Sequence, residues 1–358
     1  MYDIAIIGAG PAGATLSRII GKKYRVLLVD KRPLLEPAND KTLSKCCGGL
    51  LAPDAQKMLG FLGLGLPREV LVEPQLFVVR TMDLQNHIER YYQRHYINID
   101  REKFDRWLVS LIPKSVDIRA PIRFKYYEKE KSGYKITFHA KGKDITEHCR
   151  IIIAADGANS RVLKQTFKNK YKPRSYISIQ EQLESINILP YFSAIFDAEI
   201  TDFYGWIIPK QNHILVGAAL SPFKHAAQRF DLFKKKLSDH GFKFRKILNT
   251  HAALLLRPVR MNQPCNGKDN VLFIGEAGAW ISPSSAEGLS YAFKSAEILA
   301  NILLKSPDNV LKRYNKKMQK MRLNILLKNL KSTFMYVPWL RHKVMALGLQ
   351  AMNISANR

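Results

Sequence analysis

The chain has 358 residues, 46% hydrophobic and 24% charged, an ordinary balance for a globular protein large enough for two intimate domains. Four cysteines do not make a disulfide framework, no apolar run reaches membrane-spanning length, and the first strand begins too early to leave room for a signal peptide, so a cytoplasmic location is expected. The net charge of +27 suits nucleic acid, an anionic lipid surface or an acidic substrate, and no nucleic-acid motif accompanies it, so no nucleic-acid partner is expected.

Ile4 to Ile7 is a short apolar run of the kind buried in a parallel sheet. Gly8, Gly10 and Gly13 follow it at G-x-G-x-x-G spacing. Gly8 suits a tight turn, Gly10 lets the backbone approach a pyrophosphate, and Gly13 lets the next helix pack on the strand. That helix starts near Pro11-Ala12, so its free N–H groups face the phosphates. A second strand, Val26 to Val29, ends in Asp30, whose carboxylate can accept both ribose hydroxyls of an adenosine. The ordered set marks a dinucleotide-binding unit, which NAD and FAD both use; a glycine-rich turn in an unrelated α/β protein would share only the triplet.

Downstream, Pro53 to Leu62 reads as a helix, preceded by Leu43-Ser44-Lys45-Cys46-Cys47-Gly48-Gly49-Leu50. Leu76 to Thr81 and Tyr92 to Ile99 read as strands, and Asp100 is a plausible N-cap for a helix through Leu108. Val116 to Arg119 is a strand, and Arg123 to Glu128 with Tyr134 to Ala140 a hairpin. Ile151 to Ala155 is a second buried strand, ending in Asp156-Gly157-Ala158-Asn159-Ser160. Tyr176 to Ala219 is strand-rich and aromatic, a separate sheet with one face over a cavity, and Lys224 to His240 reads as a helix. Asn270 to Gly278 repeats the opening logic of buried strand and small-residue turn, and a helix follows from about Glu287 to Leu304. Ser282, Ser284 and Ser285 read as helix-entry caps. The nine histidines show no metal spacing, and no metal is expected.

From Asn309 to Arg358 there are 11 Lys and Arg and no Asp or Glu. Leu311, Tyr314, Met318, Met321 and Ile325 form one apolar stripe; Val337, Leu340, Val344, Leu347 and Ala351 form another, with Pro338 at a helix start. Either these are C-terminal helices packed on the protein with solvated basic faces, or they dock on an anionic membrane surface and hold the protein peripherally at its inner face.

Three separated blocks resemble FAD-dependent oxidoreductases of the p-hydroxybenzoate hydroxylase type: the opening glycine unit with Asp30, Ala155 to Ser160, and Ile274-Gly275-Glu276-Ala277-Gly278 through Pro283 to Gly288. Cys46-Cys47-Gly48-Gly49 narrows the resemblance to the geranylgeranyl-reductase-like branch, over most of the chain. The resemblance implies an α/β fold (α+β overall), with a Rossmann-like FAD-binding domain, an interleaved β-rich substrate domain and C-terminal helices. The corresponding boundaries are 1–75, 98–168 and 256–305 for FAD, 76–97 and 169–255 for substrate, and 306–358 for the basic helical region. It implies cofactor contacts at Gly8, Gly10, Ala12, Gly13, Asp30, Lys31, Cys46, Gly48, Arg101, Asp156, Gly157, Gly275, Glu276, Gly288 and Leu289. The acid at position 276 would bond the ribityl chain, and the helix after Gly288 would aim its N-terminus at the flavin ring. The family usually has Asp where Glu276 stands, so this contact needs a small shift. Arg101 either approaches the flavin or is a solvated first-turn residue. With one dinucleotide unit in the chain, FAD would occupy it, and the reductant would be a transient NAD(P)H or a protein electron donor.

Catalytic roles are implied for Cys47, Tyr204 and Trp206. A thiol at Cys47 can orient an alkene or help deliver a proton, because hydride addition to C=C leaves charge to quench; the plainer reading is a small buried residue in a turn. In Phe203-Tyr204-Gly205-Trp206-Ile207-Ile208-Pro209, alternate residues share a strand face. The reductase branch has Tyr-x-Trp-x-Phe-Pro after a proline, replaced here by Thr201; flavin halogenases have Trp-x-Trp-x-Ile-Pro, and Ile208-Pro209 fits that form. Core aromatics of a sheet are the simpler alternative. The expected activity is reduction of C=C bonds in an isoprenoid or lipid-like substrate. A flavin-dependent monooxygenase or halogenase acting on an aromatic substrate, and a non-catalytic membrane-associated flavoprotein, are the other two readings.

Overall fold

The computed structural model describes residues 1–36, 46–168, 173–185, 190–223 and 225–352. Leu43 to Lys45, Lys224 and the tail beyond 352 lie outside the described residues. Among the described residues the strands form two eight-stranded sheets.

In the first sheet, Val271–Phe273, Lys143–Ala154, Tyr2–Ile7, Val26–Val29 and Asp117–Arg119 lie side by side and parallel. Ile4 pairs with Val26 on one side and Ile151 on the other. Alternation sorts the side chains to two cores. Ile4, Ile6, Val26, Leu28, Ile151 and Ile153 face helices Pro11–Ile20, Arg101–Ser110 and Leu289–Lys305. Ala5, Ile7, Leu27 and Val29 face the antiparallel hairpin Arg123–Glu130 and Gly133–Ala140, which supplies Phe124, Tyr134, Ile136 and Phe138. Asp100 caps its helix as the sequence suggests, accepting the N–H groups of Glu102 and Lys103 at 2.9 and 3.0 Å.

The second sheet runs Phe244–Arg257, Arg174–Ser185, His213–Leu220, Gly205–Lys210, Tyr191–Phe196, Leu76–Asp83, Ile88–Asn98 and Leu50–Leu51. Its pairs are antiparallel except Tyr191–Phe196 against Leu76–Asp83. Helix Ala226–Asp239 covers one face, packing Phe230, Phe233 and Leu237 on Ile207 and Val216. The opposite face carries Trp206, Ile208, Tyr176 and Phe203. The two-residue strand Leu50–Leu51 carries the chain from the first sheet's side to the edge of the second.

The C-terminal region is two helices, Val310–Tyr336 and Pro338–Leu347. Tyr314, Met318, Met321 and Ile325 are buried in the helical core of the first sheet, so the stripe read from the sequence is a packing face. In the second stripe Val337, Leu340, Val344 and Ala351 are half-buried and Leu347 is exposed. Arg341 points inward, its Nε 2.7 Å from Asp83 Oδ2, and this ion pair fastens the last helix to the second sheet. No helix among the described residues is long and apolar enough to cross a membrane.

Candidate functional site

The three blocks converge at the carboxyl ends of the parallel strands. Gly8 has φ +108°, and a Cβ there would lie 2.4 Å from Ala155 O, so both the turn and the neighbouring block require glycine. A Cβ on Gly13 would come within 1.9 Å of Gly8 O. Gly275 meets the first helix, its ideal Cβ 3.1 Å from the Cβ of Ala12. Gly10 differs: a Cβ there meets nothing within 4 Å among the described residues. The backbone at Gly10 therefore borders open space, in front of a helix N-terminus that has no side-chain cap. Such a cradle fits a pyrophosphate. Gly157, at φ +78°, also faces open space. Asp156 accepts the Arg161 N–H at 2.9 Å through Oδ2, while its buried Oδ1 meets no donor within hydrogen-bond distance among the described residues. Burial pushes its carboxyl up, against the hydrogen bonds it accepts.

Asp30 stands where the sequence places it, and its Oδ2 accepts the Ala9 N–H at 2.7 Å. Its remaining capacity is taken up by a residue the sequence reading missed. Arg32 donates to Asp30 from its backbone at 2.8 Å and from Nε and Nη2 at 3.1 and 3.2 Å. Ribose hydroxyls must share this carboxylate with Arg32. Lys31, beside them, is exposed. Arg32 Nη1 reaches Asp105 Oδ2 at 2.7 Å; Arg101 Nε reaches Asp105 Oδ1 at 2.8 Å; and Arg101 Nη1 reaches Cys47 Sγ at 3.4 Å. Arg101 is therefore a buried residue and not a solvated one. Burial alone would lower its pKa, but Asp105 and Cys47 outweigh that and raise it.

The Cys-Gly-Gly loop lies between the two sheets. Cys46 Sγ approaches Ser178 Oγ at 3.6 Å and His251 O at 3.8 Å. A Cβ on Gly48 would lie 2.4 Å from Ile208 Cδ1, so a larger residue there would need Ile208 to turn aside. Cys47 and Trp206 meet through Gln180, whose amide nitrogen is 3.5 Å from Cys47 O and whose Oε1 accepts the Trp206 Nε1–H at 3.0 Å. The Trp206 ring lies over Gly217, and Tyr204 follows it at 5.7 Å between ring centroids. Tyr204 donates to Ser285 O at 2.7 Å, and burial pushes its phenol well up.

Lys210, which the sequence reading passed over, is buried behind the same loop. It donates to Asn98 Oδ1 at 2.5 Å, Ile99 O at 3.0 Å and Gly49 O at 3.3 Å. Burial lowers its pKa to about 8, against the pull of Cys47 and Asp100. Only its pairing across strands reveals it, since in sequence it is one of many lysines.

Around the third block, Glu276 is half-buried and accepts the Leu256 N–H at 3.3 Å. Gly288 and Leu289 open the helix Leu289–Lys305. The serines do not cap it: Ser282 bonds to Ser284 and Ser285, each at 3.1 Å. Glu287 serves instead, accepting the Ser290 N–H at 2.7 Å, and burial pushes its carboxyl up.

No family model matches the chain. Among solved structures, a geranylgeranyl bacteriochlorophyll reductase-like protein from Thermoplasma acidophilum aligns with TM-score 0.81 and 19% identity, over 99% of this chain and 94% of that one. PqsL, a probable FAD-dependent monooxygenase from Pseudomonas aeruginosa, aligns with TM-score 0.68 and 15% identity, over 97% and 99%. At these identities the likeness establishes a shared fold. Protein CbrA of Escherichia coli O6:H1 is 39% identical over 348 residues, 97% of this chain and 94% of that one, and Protein CbrA of Shigella sonnei is 39% identical over 97% of each. Identity at that level across nearly the whole length places the chain in the CbrA family.

Proposed function

We propose that the chain binds FAD in the glycine cradle and is an oxidoreductase that reduces C=C bonds of an isoprenoid or similar lipid-like substrate. The open space at Gly10 and the convergence of the three blocks fit the pyrophosphate. Once reduced by NAD(P)H or a protein electron donor, FAD bound there would supply the hydride. The observation that carries the reductase reading is the position of Cys47, between Arg101 at 3.4 Å and, through Gln180, Trp206. When one alkene carbon takes the hydride, the other takes a proton. Cys47 supplies it, and the guanidinium of Arg101 stabilises the thiolate left behind. Trp206, Tyr204 and Ile208 offer an apolar face to hold the chain of the substrate and keep water out.

A second reading is an oxygen-using flavoenzyme, and its support is the fold shared with PqsL and with CmlS, a flavin-dependent halogenase (TM-score 0.66, 16% identity, 89% of this chain and 62% of that one). Ile208 of the halogenase-like Ile-Pro form has a packing reason here, the contact with Gly48. The deciding experiment is anaerobic reduction with dithionite followed by a panel of polyprenyl lipids as oxidants. Reoxidation with stoichiometric saturation of the lipid supports the reductase; reoxidation by oxygen alone, with an aromatic product hydroxylated or halogenated, supports the second reading and overturns the first.

A further inference from the structure

Helix Val310–Tyr336 is apolar on two opposite faces. Tyr314, Met318, Met321 and Ile325 are buried. Half a turn away, Leu323, Leu327, Leu330 and Phe334 recur at i, i+4, i+7 and i+11, and each is 50 to 59% exposed. Packing within the chain accounts for the first face and leaves the second uncovered. The next helix also exposes Trp339, at 60%, and Leu347, at 70%. A contiguous apolar patch of this kind is uncommon on a monomer and marks an interaction surface.

Charge decides what covers it. The same solvent face carries Lys312, Lys316 and Lys320 one to three turns upstream, all exposed, and exposed Lys331 and Lys343 flank the apolar residues. No acid occurs from Asn309 onward. A second copy of the chain would bring like charges together; an anionic bilayer satisfies both the lysines and the leucines. We infer that the outer face of Val310–Tyr336, together with Trp339 and Leu347, is a docking surface for anionic lipid. Its C-terminal end abuts the candidate site. Two residues after the outward Phe334, Tyr336 turns inward, donates to Ser284 O at 2.7 Å and packs its ring at a tilt, 5.1 Å from Phe203, itself 4.9 Å from Tyr204. On the reading proposed above, on which this last step rests, a substrate dissolved in the bilayer reaches the aromatic face without crossing water.

The test is co-sedimentation of the full chain with vesicles of phosphatidylcholine alone and of equimolar phosphatidylcholine and phosphatidylglycerol. Binding is expected only to the second, and to weaken with salt. Lys312→Gln, Lys316→Gln and Lys320→Gln together should weaken it roughly 100-fold at low salt. Leu330→Ser with Phe334→Ser should weaken it at least ~10-fold, and circular dichroism should show an unchanged fold because both residues are exposed. Lys131→Gln, Lys141→Gln and Lys143→Gln, an equal charge change on the distant strand turns, should leave binding nearly intact. The inference is overturned if the intact chain ignores phosphatidylglycerol vesicles at low salt, if the distant triple variant loses as much as the helix one, or if the chain dimerises in solution through Leu330 and Phe334. None of these readouts depends on turnover, so they separate failure of lipid docking from failure of the reductase reading.

Discussion

Asp105 stands between two arginines, and the site is held together through it. One of its oxygens takes Arg32, which grips Asp30 at the glycine cradle, and the other takes Arg101, which reaches Cys47. With Asp105 nearly inaccessible, Asp105→Asn leaves the buried Arg101 short of a carboxylate counter-charge, while Arg32 keeps Asp30. A loss of roughly 3–5 kcal/mol is expected, read by urea unfolding; a loss under ~1 kcal/mol would show Arg101 satisfied elsewhere. Gly10→Val is expected to do the reverse. Among the described residues nothing lies within 4 Å of its Cβ, so the fold and the unfolding midpoint of the flavin-free protein should hardly change while flavin content falls to the background. A yellow Gly10→Val protein would refute the cradle. Lys210 adds a pH signature. Its pKa falls from an ordinary 10.5 to about 8 in the fold, chiefly through burial. Between those values the unfolded chain binds the proton and the folded chain does not, so this group makes stability rise with pH across that window. Relative to Lys210→Met, the native chain should gain up to about 3 kcal/mol from pH 8 to 10.5; a constant difference would mean that Lys210 titrates normally.

Elements differ in how openly the sequence displays them. The opening unit is local, each residue acting on its neighbours, and strand, turn, helix and acid stand where they were read. The 14-residue strand Phe244–Arg257 escaped notice because it is an edge strand whose first half is mostly exposed and mixes apolar with polar residues without alternation. Arg32, Gln180 and Lys210 escaped for another reason: their partners lie across strands or loops, and no spacing in the chain encodes such meetings. The last helix illustrates the same limit. Its anchor is Arg341 on Asp83, whose carboxyl burial pushes up but whose hydrogen bonds from Arg341 and Asn86 bring it below the ordinary range. A carboxyl depressed by folding stabilises above its unfolded pKa and loses that contribution as pH falls through the folded one. Hydrogen-exchange protection over Pro338–Leu347, relative to the unfolded rate at the same pH, should therefore fall in acid, and at neutral pH in Asp83→Asn, while the strands of the first sheet stay protected. Equal loss of protection everywhere would mean that the pair supports the whole fold and not this helix.

At the scale of the molecule, the candidate cofactor site is assembled from residues near 10, 156 and 276, which meet only in the finished fold. Anything bound there ties three distant stretches of chain together. Adding FAD at a thousandfold excess over Kd should stabilise the fold by roughly 4 kcal/mol, seen as a rise in Tm that Gly10→Val abolishes. No such rise in the native chain would count against a resident dinucleotide.

The loop at Cys46-Cys47 has a mechanical consequence. Cys46 contacts Ser178 and His251 of the second sheet, while Cys47 contacts Arg101 on a helix of the first. Adjacent α-carbons are fixed about 3.8 Å apart by the peptide between them. The two halves of the protein cannot part along this seam by more than a fraction of that span without one cysteine letting go. Any parting at this seam must first break the contacts of Cys47 with Arg101, or those of Cys46 together with the Gln180 contact to Cys47 O.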